Sequence, residues 1–298
     1  MPVLVIGNIY VGGTGKTPLT IAVAKLLQSQ GWRPGLVSRG FGRLHTEVSA
    51  VGRGASLDWQ AFGDEPTLIA RETGMAVAVH RDRAIAAQAL LAQYPDTDII
   101  ISDDGLQHYR LARDFEILVQ DERGVGNGLL LPAGPLREPV SRREEVNLVL
   151  TRGQLPLAST QPGFGVEIDG FCHLATGEVC SVEDFLSRCQ PHSSIVAVAA
   201  IGVPERFFNN LNDLGLHLSA THALVDHQAM DLAWLKGLPA KTILLTQKDA
   251  VKLSRREADP RVWVAQTSVH WWRDDIAVFF AQRLAQAGIQ HPELRDGP

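Results

Sequence analysis

Six consecutive residues, Gly12, Gly13, Thr14, Gly15, Lys16 and Thr17, have the types and order that hold a phosphate chain. Glycines let successive backbone N–H groups converge on phosphate oxygens, the lysine reaches the outer phosphates, and the threonine hydroxyl can ligate Mg²⁺. The dipole of a following helix adds to the attraction. In the usual spacing a glycine stands five residues before Gly15, and here that position is Tyr10. The change bears on the shape of the loop, because that glycine eases a tight turn, but it leaves Lys16 and Thr17 in place.

The stretch "IIISDDG" is the natural complement. Its apolar run lifts Asp103 and Asp104 to the carboxyl edge of a sheet, where ligands gather in open α/β folds. One carboxylate can hold Mg²⁺ through water while the other orients a neighbour. An Asp-Asp-Gly turn after a strand is common in its own right. Beside a phosphate loop it reads as the acidic half of a phosphoryl-transfer site.

These residues need a scaffold, and the first half of the chain supplies one. Residues 2–7 form an apolar strand, and residues 17–30 a helix that places Leu19, Val23, Leu26 and Leu27 on one face and stops at Gly31. "PGLVS", "MAVAVH", "FEILVQ" and "VNLVLT" are further apolar strands, separated by helices at "GDEPTLIARETG" and "RDRAIAAQALLAQY". Near-continuous apolar strands alternating with helices predict a parallel sheet covered on both faces. Past Arg152 the composition shifts at "GQLPLASTQPG", and a second α/β pattern follows. The expected fold is therefore α/β, a P-loop NTPase-like domain over residues 1–152 and a smaller α/β domain over 153–298. The last helix, 274–287, is able to pack on either.

The motifs "VGGTGKTP", "SRGFGR", "GDEP", "HRDR", "SDDGLQH", "LLPAGPLREP", "GVPERFF", "DHQ" and "TQKDAVKL" together resemble the tetraacyldisaccharide 4′-kinase family. The likeness runs from residue 3 to about residue 253, in the family's order. It implies ATP- and Mg²⁺-dependent phosphorylation of the 4′-hydroxyl of an acylated glucosamine disaccharide 1-phosphate, forming lipid IVA. The expected place is the cytoplasmic face of the bacterial inner membrane. The resemblance also implies roles: Lys16 and Thr17 for phosphate and metal, Asp64 as catalytic carboxylate with His227 as its partner, and Asp103 and Asp104 near the metal. Gln107 and His108 stand beside that pair, and Arg39, Arg81 and Arg83 fall in motifs that resemble substrate or phosphate contacts. By spacing alone, Asp64 before Glu65-Pro66 is equally a helix cap and His227 a surface histidine.

The family typically carries an apolar helix before the first strand, and here Met1 nearly abuts that strand. The chain is therefore expected to be peripheral, meeting an anionic membrane surface without that anchor. "DHQ" also departs from the more usual second histidine, with Gln228 in its place. The loop of Leu129, Leu130 and Leu131 with Arg137, Arg142 and Arg143 suits acyl chains and anionic headgroups, and suits a packed domain connection equally.

The totals agree with this reading. A hydrophobic fraction of 45% and a charged fraction of 20% belong to a folded globular chain, and a net charge of −5 argues against general nucleic-acid binding. Cys172, Cys180 and Cys189 form no CxxC pair and read as reduced thiols of a cytosolic compartment. No obligate protein partner is evident. Two alternatives remain at this level. A partitioning-type ATPase switch would carry a lysine directly before Gly12-Gly13, where this chain has Val11. A soluble small-molecule kinase would turn over a water-soluble acceptor without lipid or detergent.

Overall fold

A computed structural model of the chain describes residues 1–153, 162–189 and 194–291. Most of the expected junction, 154–161, lies outside them. The structure is mixed α/β and divides into two compact units, Met1–Val166 with Val269–Pro298, and Glu167–Ser268.

The strands of the first unit are β1 (Val3–Gly7), β2 (Pro34–Ser38), β3 (Ala50–Arg53), β4 (Ala76–Val79), β5 (Ile99–Asp103), β6 (Phe115–Asp121) and β7 (Leu148–Arg152). Its helices are α1 (Lys16–Ser29), α2 (Trp59–Phe62), α3 (Asp64–Thr73), α4 (Arg83–Gln93) and α5 (Arg142–Glu145). Strands run in the order β7-β6-β1-β5-β2-β4, all parallel, with β3 antiparallel at the β4 edge. Register sets Ile6 beside Asp103 and Gly7 beside Leu118, so the phosphate loop and the acid pair leave the same edge.

Both faces of this sheet are buried, because successive residues of a strand point to opposite sides. Leu4 and Ile6 enter a core with Leu19, Val23 and Leu27 of α1. Val3 and Val5 enter a second core with Ala86 and Leu90 of α4. Phe280 packs edge-on against Phe115 at a centroid distance of 6.0 Å, in the first of these cores. It belongs to the helix Ile276–Gln286, which packs with this unit.

The second unit repeats the principle. Its elements are β8 (Gly163–His173), β9 (Val179–Ser181), α6 (Val182–Arg188), β10 (Ile195–Ala199), α7 (Pro204–Asp213), β11 (Leu218–Ala223), α8 (Leu232–Gly237), β12 (Thr242–Thr246), α9 (Gln247–Ala250) and β13 (Val262–Trp271). Strands β8 and β13 begin or end in the first unit. Order β11-β10-β12-β13 is parallel, and β8 and β9 form an antiparallel pair. Val196 and Val198 enter one core; Ile195, Ala197 and Ala199 enter the other.

Candidate functional site

The loop from Asn8 to Gly15 connects β1 to α1. Gly12 and Gly15 take φ of 98° and 84°, a left-handed backbone that side chains disfavour. A Cβ at Gly12 would stand 2.8 Å from Arg123 Nη1, and one at Gly15 2.7 Å from Arg152 Cδ. The backbone N–H groups of Gly12, Thr14, Gly15, Lys16 and Thr17 have no acceptor among the described residues. Thr14 is only 1% exposed. Buried N–H groups are rarely left unpaired, so this cradle matches a multi-oxygen anion such as the phosphates of ATP. The α1 N-terminus has no side-chain cap that would compete for the same groups.

Lys16 Nζ donates to Asn8 Oδ1 at 3.3 Å and stands 3.4 Å from Asp104 Oδ1. Asn8 is buried and its amide donates to Thr14 Oγ1 at 3.2 Å. Arg137 donates to both carboxylate oxygens of Asp104, at 3.2 and 3.0 Å, and to the side-chain and backbone oxygens of Asn8. Asp104 itself sits at φ 46°. Burial works against its charge, yet Lys16 and Arg137 overcome that and hold its carboxyl at about 2.

Asp103 is the opposite case. It ends β5 almost fully buried and accepts from Thr20 Oγ1 at 3.1 Å. Burial, with the charges of Glu65 and Asp104, pushes it up to about 7 against the pull of Lys16. The two neighbouring acids thus differ widely in basicity, a common mark of functional carboxylates. With Thr17, in the first turn of α1, they offer hard oxygens of the kind Mg²⁺ takes. Among the described residues no group of three or more His, Cys, Asp or Glu forms a complete metal cage.

The remaining sequence-predicted residues fall in several places. Arg83 is buried, and its Nη2 donates to the carbonyls of Asp103 and Asp104 at 3.1 and 2.9 Å. It braces the acid turn from beneath. His108 Nε2 accepts from the Arg83 N–H at 3.1 Å, and burial together with Arg83 lowers its basicity. Gln107 donates to the Asn8 carbonyl at 2.9 Å and to Glu138 at 2.6 Å. Arg39 and Arg81 are exposed, Arg81 standing 3.6 Å from Glu47. Asp64 is buried as the first residue of α3 and accepts from the Glu65 N–H at 2.8 Å. The helix cap is Gly63, at φ 91°, so the capping alternative for Asp64 does not describe this helix. In the second unit, His227 takes φ 64°, and its Nε2 lies 3.4 Å from Lys248 Nζ and 3.7 Å from Asp226 Oδ1. Gln228 closes that turn, its side-chain oxygen accepting from the Val225 N–H at 3.1 Å.

The leucine loop is a tight turn closed by an isolated parallel bridge between Leu130 and Leu136. Leu131 N donates to Leu136 O at 2.8 Å and Leu136 N to Leu129 O at 3.1 Å, while Leu129, Leu130 and Leu131 stay 52%, 47% and 53% exposed. It is also bonded to the phosphate loop, Val11 N to Pro135 O at 3.0 Å and Arg137 N to Ile9 O at 2.7 Å. The arginines do not serve headgroups as the sequence suggested. Arg137 faces Asp104, and Arg142 is buried against Glu116 at 2.5 Å and Glu138 at 3.2 Å. Arg143 bonds Gln120. Asn8 and Arg137 are the residues that sequence reasoning missed as part of the phosphate site. Arg137 carried a signal, its place in "LPAGPLREP"; Asn8 carried none.

Residues 1–286 match the family model described as "LpxK: Tetraacyldisaccharide-1-P 4'-kinase". A tetraacyldisaccharide 4′-kinase of Bordetella petrii is 45% identical over 298 aligned residues, covering 96% of this chain and 83% of that protein. One from Bordetella parapertussis is 47% identical over 272, covering 89% and 78%. One from Dechloromonas aromatica is 46% identical over 277, covering 89% and 78%. A crystal structure of LpxK from Aquifex aeolicus in complex with ATP shares the fold, with TM-score 0.75 and 24% identity over 96% of this chain and 88% of that one.

Proposed function

The chain belongs to the tetraacyldisaccharide-1-P 4′-kinase family, and from that premise we propose how its residues carry out the family's reaction. The reaction is ATP-dependent transfer of a phosphoryl group to the 4′-hydroxyl of tetraacyldisaccharide 1-phosphate, forming lipid IVA. The first unit is read as the P-loop NTPase-like kinase domain and the second as its smaller α/β companion.

Phosphoryl transfer needs charge neutralisation and alignment more than covalent chemistry. The open N–H groups of Gly12, Thr14, Gly15, Lys16 and Thr17 and the Lys16 ammonium hold the phosphate chain of ATP. Thr17, Asp103 and Asp104 are the residues for Mg²⁺, which when bound draws negative charge from the phosphates. Arg137 fixes the Asp104 carboxylate, so its oxygens face the ligand without searching. A sugar hydroxyl is only weakly acidic, and Asp64 takes its proton as attack proceeds, with His227 as its partner. Arg39 and Arg81 are exposed cations for the substrate's anionic groups. Arg83, with His108 on its N–H, acts through the acid turn it braces, and Gln107 acts through Asn8 and Glu138.

The observation that carries this reading is Lys16 set between Asn8 and Asp104 at the mouth of a cradle of unpaired N–H groups. The test is transfer of labelled γ-phosphate from ATP to tetraacyldisaccharide 1-phosphate in mixed micelles. Label appearing on the acceptor supports the reading, and its disappearance in Lys16→Ala ties it to this loop. Label released only as inorganic phosphate would overturn it. The place of action follows from the acceptor, whose four acyl chains keep it in the inner membrane. Among the described residues no helix is long and apolar enough to cross a membrane.

A further inference from the structure

We infer that Arg123 is a positioning residue of the phosphate loop, and that Tyr10 and Asp121 hold it to that task in place of the missing first glycine. The inference rests on the proposed nucleotide site and adds to it a group outside the motif.

The side chain of Asp121, at the end of β6, is fully buried. Tyr10 Oη donates to its Oδ1 at 3.1 Å and accepts from its backbone N–H at 2.7 Å. Tyr10 is 3% exposed, so this bond pins the loop to the strand from inside. Arg123 Nε donates to both carboxylate oxygens at 3.0 Å and Nη2 to Oδ2 at 2.8 Å. Its guanidinium also lies over the Tyr10 ring, 5.3 Å from the centroid.

So fixed, Arg123 Nη2 reaches across and donates to the Gly13 carbonyl at 3.2 Å. The Gly13–Thr14 peptide is trans, so turning its carbonyl toward Arg123 turns the Thr14 N–H the other way. That N–H is the buried one without an acceptor. A glycine peptide flips easily, and a flip here would present a carbonyl oxygen where a phosphate oxygen binds. Arg123 suppresses the flip. A usual first glycine shapes the loop by permissive backbone; here a buried tyrosine and an arginine fork shape it by contact.

Losing the arginine should lower the fraction of loops competent to bind, which weakens ATP binding without touching the chemical step. The experiment measures ATP affinity by calorimetry, with kcat and KM for ATP, in the full chain and in Arg123→Ala, Arg123→Lys and Tyr10→Phe. Expected is about tenfold weaker ATP binding in Arg123→Ala, an equal rise in KM, and kcat within about threefold of the parent. Arg123→Lys should recover only part, because an ammonium cannot span Asp121 and Gly13 as a planar fork does. Tyr10→Phe should shift affinity the same way by less. Parent-like affinity in folded Arg123→Ala, or a loss confined to kcat, would overturn the inference. If Arg123→Ala does not fold, parent-like affinity in Tyr10→Phe would do so. Failure of the parent chain to bind ATP would instead overturn the nucleotide site itself.

Discussion

Arg137 clasps Asp104 through two nitrogens, at 3.0 and 3.2 Å, although 33 residues separate them in sequence. The pair is two-pronged, so it fixes direction as well as charge. Arg137→Ala should lower kcat about 100-fold, the scale of losing one preorganised charge contact. Arg137→Lys should recover less than half of that loss on a logarithmic scale, because it keeps the charge and loses the fork. Steady-state kinetics at saturating ATP decide it. Equal rates for the lysine and alanine variants would mean that charge contributes nothing here.

Asp64 and His227 are proposed to act as one unit. Each alanine variant should then lower kcat far more than it raises KM for ATP, and the double variant should be little worse than the poorer single one. Fully multiplicative losses would show that the two act independently.

Arg142 is a stability determinant. It is buried against Glu116 and Glu138, and Arg113 adds a contact to Glu116 at 2.9 Å. Burial alone would raise Glu116, but hydrogen bonds from Arg142 and Arg113 hold it below the usual carboxylate range. A lowered folded value contributes stability above the unfolded value, about 4.3, which is lost as pH falls through the folded one. Arg142→Met removes charge-assisted hydrogen bonds from two buried carboxylates, leaving Glu116 to Arg113 and Glu138 to Gln107, and should cost about 3 kcal/mol at neutral pH by urea unfolding. Protonation of Glu116 removes what Arg142 contributes through it, so the gap to the parent should narrow as pH falls through about 4. A gap that stays constant as pH falls through about 4 would place the cost in packing.

The exposed leucine loop is where this chain should meet lipid. Replacing Leu130 and Leu131 by serine should weaken cosedimentation with anionic vesicles more than it weakens ATP affinity. Binding indifferent to the leucine changes would place the membrane contact elsewhere.

Much of the first unit was legible because its central strands are buried on both faces. "PGLVS" and "IIISD" admit few other readings, and β2 and β5 end where expected. Strands half open to solvent were not legible. β3 has four residues, none of them buried, and β11, "LSATHA", is polar at an edge. The same divide runs through the site. Lys16, Thr17, Asp103 and Asp104 announce themselves by adjacency. Arg137 gains its meaning from Asn8 and Asp104, and Arg123 from Gly13 and Tyr10, all far along the chain. Arg142 misled in part for that reason: Glu116 lies 26 residues upstream and is invisible to a local reading, whereas its other buried carboxylate partner, Glu138, is four residues away.

The bonding of the leucine loop to the phosphate loop governs how this chain can be re-engineered. The leucine loop shares backbone hydrogen bonds with Ile9 and Val11, and Arg137 follows it directly. Trimming or swapping the segment around Leu129 to Leu136 therefore shifts the catalytic loop and pulls Arg137 off Asp104. A graft of altered lipid preference belongs at the three leucine side chains, with the backbone beneath them left as it is.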